Sequence, residues 1–437
     1  MFRKIIGTIG TRVFSAFLTL LISALNARLG PSNMGTITLI TLSVTYIQLL
    51  NNFIGGGALV YMSPRAVFFK LFVSSYTWTF FVTIIGTCVF GSIDLFSTSV
   101  EVIPKGYFIE VLVLALIMSF ASVNYMLLLG REKVKTFNIL NLVQIITLIV
   151  CLLIAVYVFK VRTVMAYYWA ILISYCISFV FSFIPLLEFW KIEPLTGLKA
   201  IFSVMFRYGT YAQFANIFQL FNYRIGYYLV DYWYGRATLG VLGLGFQLSE
   251  GLWIISRSLA MVQFTRISNT IDSKYHVRIT LILSKIAIVV TTLAVICLVA
   301  LPQIVYRKIF GPGYDDIKLV IASLAFGIIT LSFSMILSHY FSGINKPYHN
   351  TISSAIGLVF TLLLGFLLIP RFGLIGASIT ASISYSISAL YQFIIFSKMN
   401  RLKPRDFLLT LSELKLLIGE VKNFSWKGGT PESVNSN

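Results

Sequence analysis

The chain has 437 residues, of which 58% are hydrophobic and 11% charged, with a formal charge of +19. A soluble domain carries about 25% charged residues, so a water-soluble core with a polar shell is excluded. The basic residues are not gathered in one block, as a nucleic-acid binder would require, but dealt out between apolar runs, the pattern of a multi-pass membrane protein.

A helix needs about 20 apolar residues to cross the hydrocarbon. About twelve such runs follow one another, at 5–29, 36–61, 67–92, 107–129, 136–159, 164–187, 208–232, 237–262, 279–302, 317–342, 350–369 and 375–397. The first run follows Arg3 and Lys4, and Ser23–Ala27 resembles a weak signal cleavage site. The run is too long for a signal h-region and carries Arg12, so it reads as a membrane helix. Connections are short and leave no room for a soluble catalytic domain. Lys and Arg are concentrated in alternate connections (Arg65 and Lys70, the Arg131–Lys135 cluster, Lys191, Lys199 and Arg207, Arg266, Lys274 and Arg278, Lys346), which places both termini in the cytoplasm. The longest outer loops carry Asp94, Glu101, Asp315 and Asp316.

The expected fold class is all-α integral membrane, with about twelve helices in two six-helix lobes around a central cavity. The lobes are 1–190 and 208–398. Between them lies a cytoplasmic amphipathic linker, 191–207, whose run Leu198–Phe206 is expected on the inner membrane surface. After the last helix, 399–437 is a basic amphipathic tail ending in Gly, Ser and Asn.

Polar residues recur at helical spacing inside the apolar runs. Helix 1 carries Thr8, Arg12, Ser15, Thr19, Ser23 and Asn26 within about a quarter of its circumference. Helix 2 carries Thr38, Thr41, Thr45, Gln48 and Asn52 and ends in three glycines, Gly55–Gly57; helix 5 carries Asn138, Asn141 and Gln144. Such stripes serve as helix–helix glue or line a wet path. The hairpin 208–266 holds four charges in or at the edge of its apolar runs: Arg224, Asp231, Glu250 and Arg257. Intramembrane charges are expensive and mark transport paths. Arg224 and Asp231, and likewise Glu250 and Arg257, are seven residues apart, nearly two turns, and share a face. Gln213, Asn216, Tyr227 and Gln247 lie near those faces. Arg12, Arg224 and Arg257 are the candidates to hold an anionic headgroup, since guanidinium matches phosphate in bidentate fashion. For Arg224 the alternative is a structural ion pair with Asp231 or Glu250. Asp231 and Glu250 are the candidates for ion coupling or pairing. Lys285 is expected to snorkel to the interface. Tyr223 and Tyr227 are candidates to stack on a sugar ring.

No P-loop of the G-x-x-x-x-G-K-[ST] type is present, nor H-E-x-x-H or G-x-S-x-G. No cofactor or metal is called for; the four cysteines lack metal or disulfide spacing and the three histidines are scattered. Coupling to a proton or sodium gradient stays open.

Four stretches carry a family resemblance: the Gly-containing turn 27–39, the hairpin 222–268, the loop 310–316, and 343–385 with its Ile-Pro-Arg-Phe-Gly at 369–373 followed by Gly376-Ala377. The chain resembles the bacterial O-antigen and capsule-type lipid-linked oligosaccharide flippases, the polysaccharide-transporter branch of the multidrug/oligosaccharidyl-lipid/polysaccharide exporter superfamily. It departs at Gly226, where relatives often place an acid, and at Thr265, where many have Pro. The resemblance implies a flippase, not an enzyme. It would move undecaprenyl-diphosphate-linked oligosaccharide (an O-antigen, capsule or exopolysaccharide unit) from the inner to the outer leaflet of the bacterial cytoplasmic membrane by alternating access. Expected partners are that lipid-linked oligosaccharide, membrane lipids and other polysaccharide-assembly proteins, with no nucleic acid; the chain is expected to be a monomer. The rivals are a cation-coupled drug or metabolite exporter of the same superfamily and, from another class, a membrane glycan polymerase or acyltransferase.

Overall fold

The computed structural model describes residues 18–96, 101–268, 270 and 272–407. Arg12 and the basic tail beyond residue 407 lie outside the described residues. Everything regular that is described is helical: α1 (Leu18–Ala27), α2 (Pro31–Gly55), α3 (Gly57–Met62), α4 (Phe68–Phe96), α5 (Phe108–Gly130), α6 (Val134–Leu153), α7 (Val164–Phe183), α8 (Leu198–Gly251), α9 (Trp253–Ser268), α10 (Ser273–Ala300), α11 (Gln303–Phe310), α12 (Ile317–Gly343) and α13 (Tyr348–Asn400). A π-helical turn, Ile154–Val158, extends α6, and a 3-10 turn, Ile184–Phe189, extends α7. Among the described residues eight helices are long and apolar enough to cross a membrane, or nine when the bent pair α8–α9 counts as a span. The protein is a multi-pass membrane protein. Its surface agrees: Phe80, Phe81, Ile85 and Val89 of α4 are exposed, an arrangement suited to lipid and not to water.

The difference from about twelve runs lies in the first run, most of which is outside the described residues, and in two long helices. α8 has 54 residues and α13 has 53, each about 80 Å at 1.5 Å per residue and far more than the ~30 Å of hydrocarbon. Each folds back on itself at one glycine. Gly235 sits at φ 80, ψ 176, and Gly373 at φ 55, ψ −123, regions that a side chain disfavours. In α13 the two arms are tied by Ser353 Oγ donating to Ser388 O (2.9 Å), Ser388 Oγ to Ser353 O (3.0 Å) and Ser384 Oγ to Gly357 O (2.7 Å), an antiparallel pairing centred near the turn. The turns adjoin, with the Tyr234 hydroxyl donating to Pro370 O (2.9 Å).

Two apolar cores meet along α2. One joins Ile37, Val44 and Ile47 to Leu114, Leu152 and Ile171 of α5–α7. The other joins Leu39 and Tyr46 to Val230, Leu242 and Phe246 of α8, Ile328 of α12 and Tyr385 of α13. Buried hydroxyls and amides stitch helices within each core: Asn51 Nδ2 donates to Thr83 Oγ1 (2.9 Å) and Ser119 Oγ (3.0 Å), and Gln144 Nε2 to Ser174 Oγ (3.1 Å). Thr38, Thr41 and Thr45 bond their own helix four residues back, the glue reading of those stripes.

Two local expectations change. Leu198–Phe206 is no separate surface helix but the start of α8, with Met205 fully buried beside Leu71 and Leu186 and with Trp78 edge-on to Phe202 and Phe206. Lys285 does not snorkel; it is 7% exposed within α10.

Candidate functional site

Arg224 lies on the first arm of α8 and Glu250 near the end of the second. At 1.5 Å per residue they sit roughly 16 and 22 Å from the Gly235 turn, inside a ~30 Å hydrocarbon layer. The turn brings them together. Arg224 Nη1 is 2.8 Å from Glu250 Oε1 and Nη2 donates to Oε2 at 2.9 Å, a two-point pair with side chains 23% and 21% exposed. Nη1 also donates to the Tyr227 hydroxyl (2.6 Å), and the guanidinium stands 5.1 Å from the Tyr227 ring.

Aromatic residues from four helices enclose the pair. Tyr46 of α2 stacks on Phe221 and Tyr228, with centroids 5.2 and 6.2 Å apart, and feels the charge of Arg224. Tyr223 packs against Trp253 of α9 (5.9 Å) and Tyr385 of α13 (5.1 Å). Tyr385 lies within electrostatic reach of both Arg224 and Glu250. The Tyr385 hydroxyl and the Trp253 indole nitrogen are buried, at 0% and 1% residue exposure, and neither has a hydrogen-bond partner among the described residues. Unsatisfied buried donors are uncommon and ask for a reason. The site is therefore rich in donors and holds one acceptor group of full charge, Glu250.

The remaining sequence candidates distribute as follows. Arg257 is exposed on α9, one turn beyond Trp253, and near enough to act electrostatically on Tyr223 together with Arg224 and Glu250. Asp231 goes elsewhere: its carboxylate is 3.2 Å from Arg236 Nε, and Arg236 pairs in turn with Glu101, which Lys105 also approaches at 3.3 Å. Of the two acids open as partners of Arg224, the structure pairs it with Glu250. Tyr227 is 4% exposed with its ring edge-on to Phe246 (5.6 Å), so it supports Arg224 and offers no face to a sugar. Gln213 donates to Asn52 O (3.3 Å) and accepts from Asn216 (3.2 Å). Gln48 and Asn52, with Asn51, Gly55 and Ser119, line a narrow recess along the C-terminal half of α2. Asn26 is buried with an unpartnered carbonyl oxygen, Ser23 donates to Thr19 O (2.9 Å), and Gln247 is half-buried. Tyr46, Trp253 and Tyr385 are absent from the sequence candidates. They come from three other helices, and an aromatic residue in an apolar run carries no signal of its own.

No family model matches the chain. An uncharacterised membrane protein of Methanocaldococcus jannaschii, MJ1068, is 34% identical over 132 residues, 30% of this chain and 25% of that protein. The match spans about a quarter of that relative's length. The capsular polysaccharide biosynthesis protein CapF of Staphylococcus aureus is 22% identical over 315 residues, 69% of this chain and 77% of its own. Among solved structures, the lipid II flippase MurJ in an inward closed conformation superimposes with a TM-score of 0.72 at 13% identity, covering 97% of this chain and 93% of that one. An inward-facing multidrug resistance MATE family transporter gives 0.71 at 15% identity, covering 89% and 96%. The fold is that of the MOP-superfamily membrane transporters. Both of these structural neighbours are named as a flippase or a transporter, neither as an enzyme.

Proposed function

We propose that this protein is a flippase for polyprenyl-diphosphate-linked oligosaccharide. The observation that carries the proposal is the donor-rich intramembrane site around Arg224. The Arg224 guanidinium is the charged donor of this site; Tyr385 and Trp253, whose buried donors lack partners among the described residues, pack on its neighbour Tyr223, and the charge of the exposed Arg257 also reaches Tyr223. The fold shared with a lipid II flippase and the distant likeness to a capsular polysaccharide biosynthesis protein support the same substrate class. On this reading the turns at Gly235 and Gly373 divide α8 and α13 into separate membrane passages. The chain then makes about twelve passages in two lobes, 1–190 and 208–398, with both termini cytoplasmic. The diphosphate enters between the lobes from the inner leaflet and leaves towards the outer one. The glycan meets the polar residues of α1 and α2, Asn26, Gln48 and Asn52, while the lipid tail stays in the bilayer.

The exporter reading rests on an equally good superposition; the flippase reading differs in assigning Arg224 to an anionic substrate. The two readings separate in one reconstitution experiment. Proteoliposomes holding either a short-chain polyprenyl-diphosphate oligosaccharide or a fluorescent organic cation are compared for protein-dependent movement. The account predicts movement of the lipid-linked anion and none of the cation; the reverse result transfers the protein to the exporters.

A further inference from the structure

We propose that Glu250 is a built-in stand-in for the substrate's anionic group: it occupies Arg224 in the empty carrier, and an incoming diphosphate displaces it with uptake of one proton. The inference rests on the reading that the substrate is anionic, and it assigns a coupling step to that same site.

Three features carry it. The first is geometry. Glu250 holds Arg224 through a hydrogen bond from Nη2 to Oε2 at 2.9 Å, with Nη1 2.8 Å from Oε1, on the guanidinium edge that a phosphate would use, so carboxylate and phosphate compete for one seat. The second is the composition of the surroundings. Around the pair stand Tyr223 and Tyr227 on the same arm, Tyr46 from α2, Tyr385 from α13 and Arg257 from α9. The buried donors of Tyr385 and Trp253 bond nothing while Glu250 is seated. A diphosphate has more acceptor oxygens than a carboxylate and can satisfy them, which favours the exchange. The third is the backbone beside Glu250. α8 ends at Gly251 and α9 starts at Trp253, with the two segments bent by 41°. Releasing Glu250 cuts the ion pair between the α8 arms next to this break, so occupancy of Arg224 bears directly on the angle of α9.

Charge balance fixes the proton. The Arg224 guanidinium keeps its charge throughout. A carboxylate stripped of its guanidinium inside a bilayer takes a proton from water, forming one O–H bond, in place of remaining an unpaired buried charge. When the anion leaves, Glu250 gives up that proton and returns to Arg224.

The test is calorimetric binding of P1,P2-dimethyl diphosphate to the full chain in nanodiscs. This soluble diester does not titrate between pH 5.5 and 8.5. Titrations in two buffers of different ionisation heat count protons. The expected result is about one proton taken up per anion, with affinity falling as pH rises. Glu250→Gln is expected to bind without proton uptake, independently of pH, and more tightly than the unaltered protein at pH 8.5. Binding by the unaltered chain with no proton uptake overturns the proposal and needs no variant to read. So does a Glu250→Gln protein that folds but keeps the proton count. Neither outcome depends on flipping: proton-linked binding without lipid movement would refute the flippase and leave the exchange standing, and flipping without proton uptake would do the converse.

Discussion

The Arg224–Glu250 pair joins the two arms of one helical hairpin, and its strength follows from its geometry. Two unit charges 2.8 Å apart attract by about 6 kcal/mol at an effective dielectric of 20. Desolvation of both groups opposes this and in buried pairs offsets most of it. With side chains 23% and 21% exposed, water still screens part of the remainder, so a net coupling of about 2 kcal/mol is expected. The perturbation is a double-mutant cycle of Arg224→Leu, Glu250→Leu and the pair together. Each single change leaves a charge without its partner and is expected to destabilise by about 2–4 kcal/mol. The double change is expected to cost less than the sum by about 2 kcal/mol, since it removes both charges at once. Reversible unfolding in mixed SDS micelles reads all three values. Additivity within about 0.5 kcal/mol would refute the reasoning. It would mean that the two groups do not meet, and the exchange proposed for Glu250 would fall with it.

Other consequences can be checked in the same protein. A Cβ at Gly240 would lie 2.0 Å from the Pro31 carbonyl oxygen, whereas one at Gly226, on the first arm of the same helix, meets nothing within 4 Å; Gly240→Ala is expected to lose about 1–3 kcal/mol of stability and Gly226→Ala to be neutral or slightly stabilising, as thermal unfolding will show. Asn222 Oδ1 accepts from Thr361 Oγ1 (2.5 Å) and Ser384 Oγ (2.7 Å), tying α8 to both arms of α13. Asn222→Leu strands the Thr361 hydroxyl at a cost of about 1–3 kcal/mol, and adding Thr361→Val is expected to restore part of that loss. Arg236 bridges the α8 turn to Glu101 in the connection between α4 and α5, so Arg236→Gln is expected to raise labelling of a cysteine placed at Thr38 by an impermeant maleimide. Unchanged labelling would show that this clasp does not restrain that end of the bundle.

Hydropathy made the apolar passages and their order legible, because only long apolar helices satisfy their backbone in lipid. The sequence also separates the runs 208–232 and 237–262, and 350–369 and 375–397, and the backbone leaves the helical region within both gaps, at Gly235 and Gly373. Arg224 and Glu250 stand out in the sequence because charge in hydrocarbon is expensive. Partner choice was not legible. Helical spacing puts Arg224 and Asp231 on one face, yet Arg236 follows the turn and takes Asp231, leaving Arg224 to Glu250 across the hairpin. Tyr385 reaches the site from about 160 residues further along the chain, and no local pattern announces such a contact. The amphipathic run Leu198–Phe206 suggested a separate helix; it is continuous with α8, and Trp78 packs edge-on to Phe202 and Phe206, a contact no local pattern announces.

The central claim is that Arg224 holds the anionic part of a lipid-linked glycan while it crosses the bilayer. The direct measurement places a short-chain polyprenyl-diphosphate oligosaccharide in one leaflet of proteoliposomes and follows its exposure to an impermeant glycan-cleaving enzyme. Protein-dependent exposure is predicted, falling by tenfold or more in folded Arg224→Ala protein, since a charge-assisted bidentate contact contributes about 1.5–3 kcal/mol. Exposure at the unaltered rate in Arg224→Ala would contradict the account and return Arg224 to holding the hairpin together.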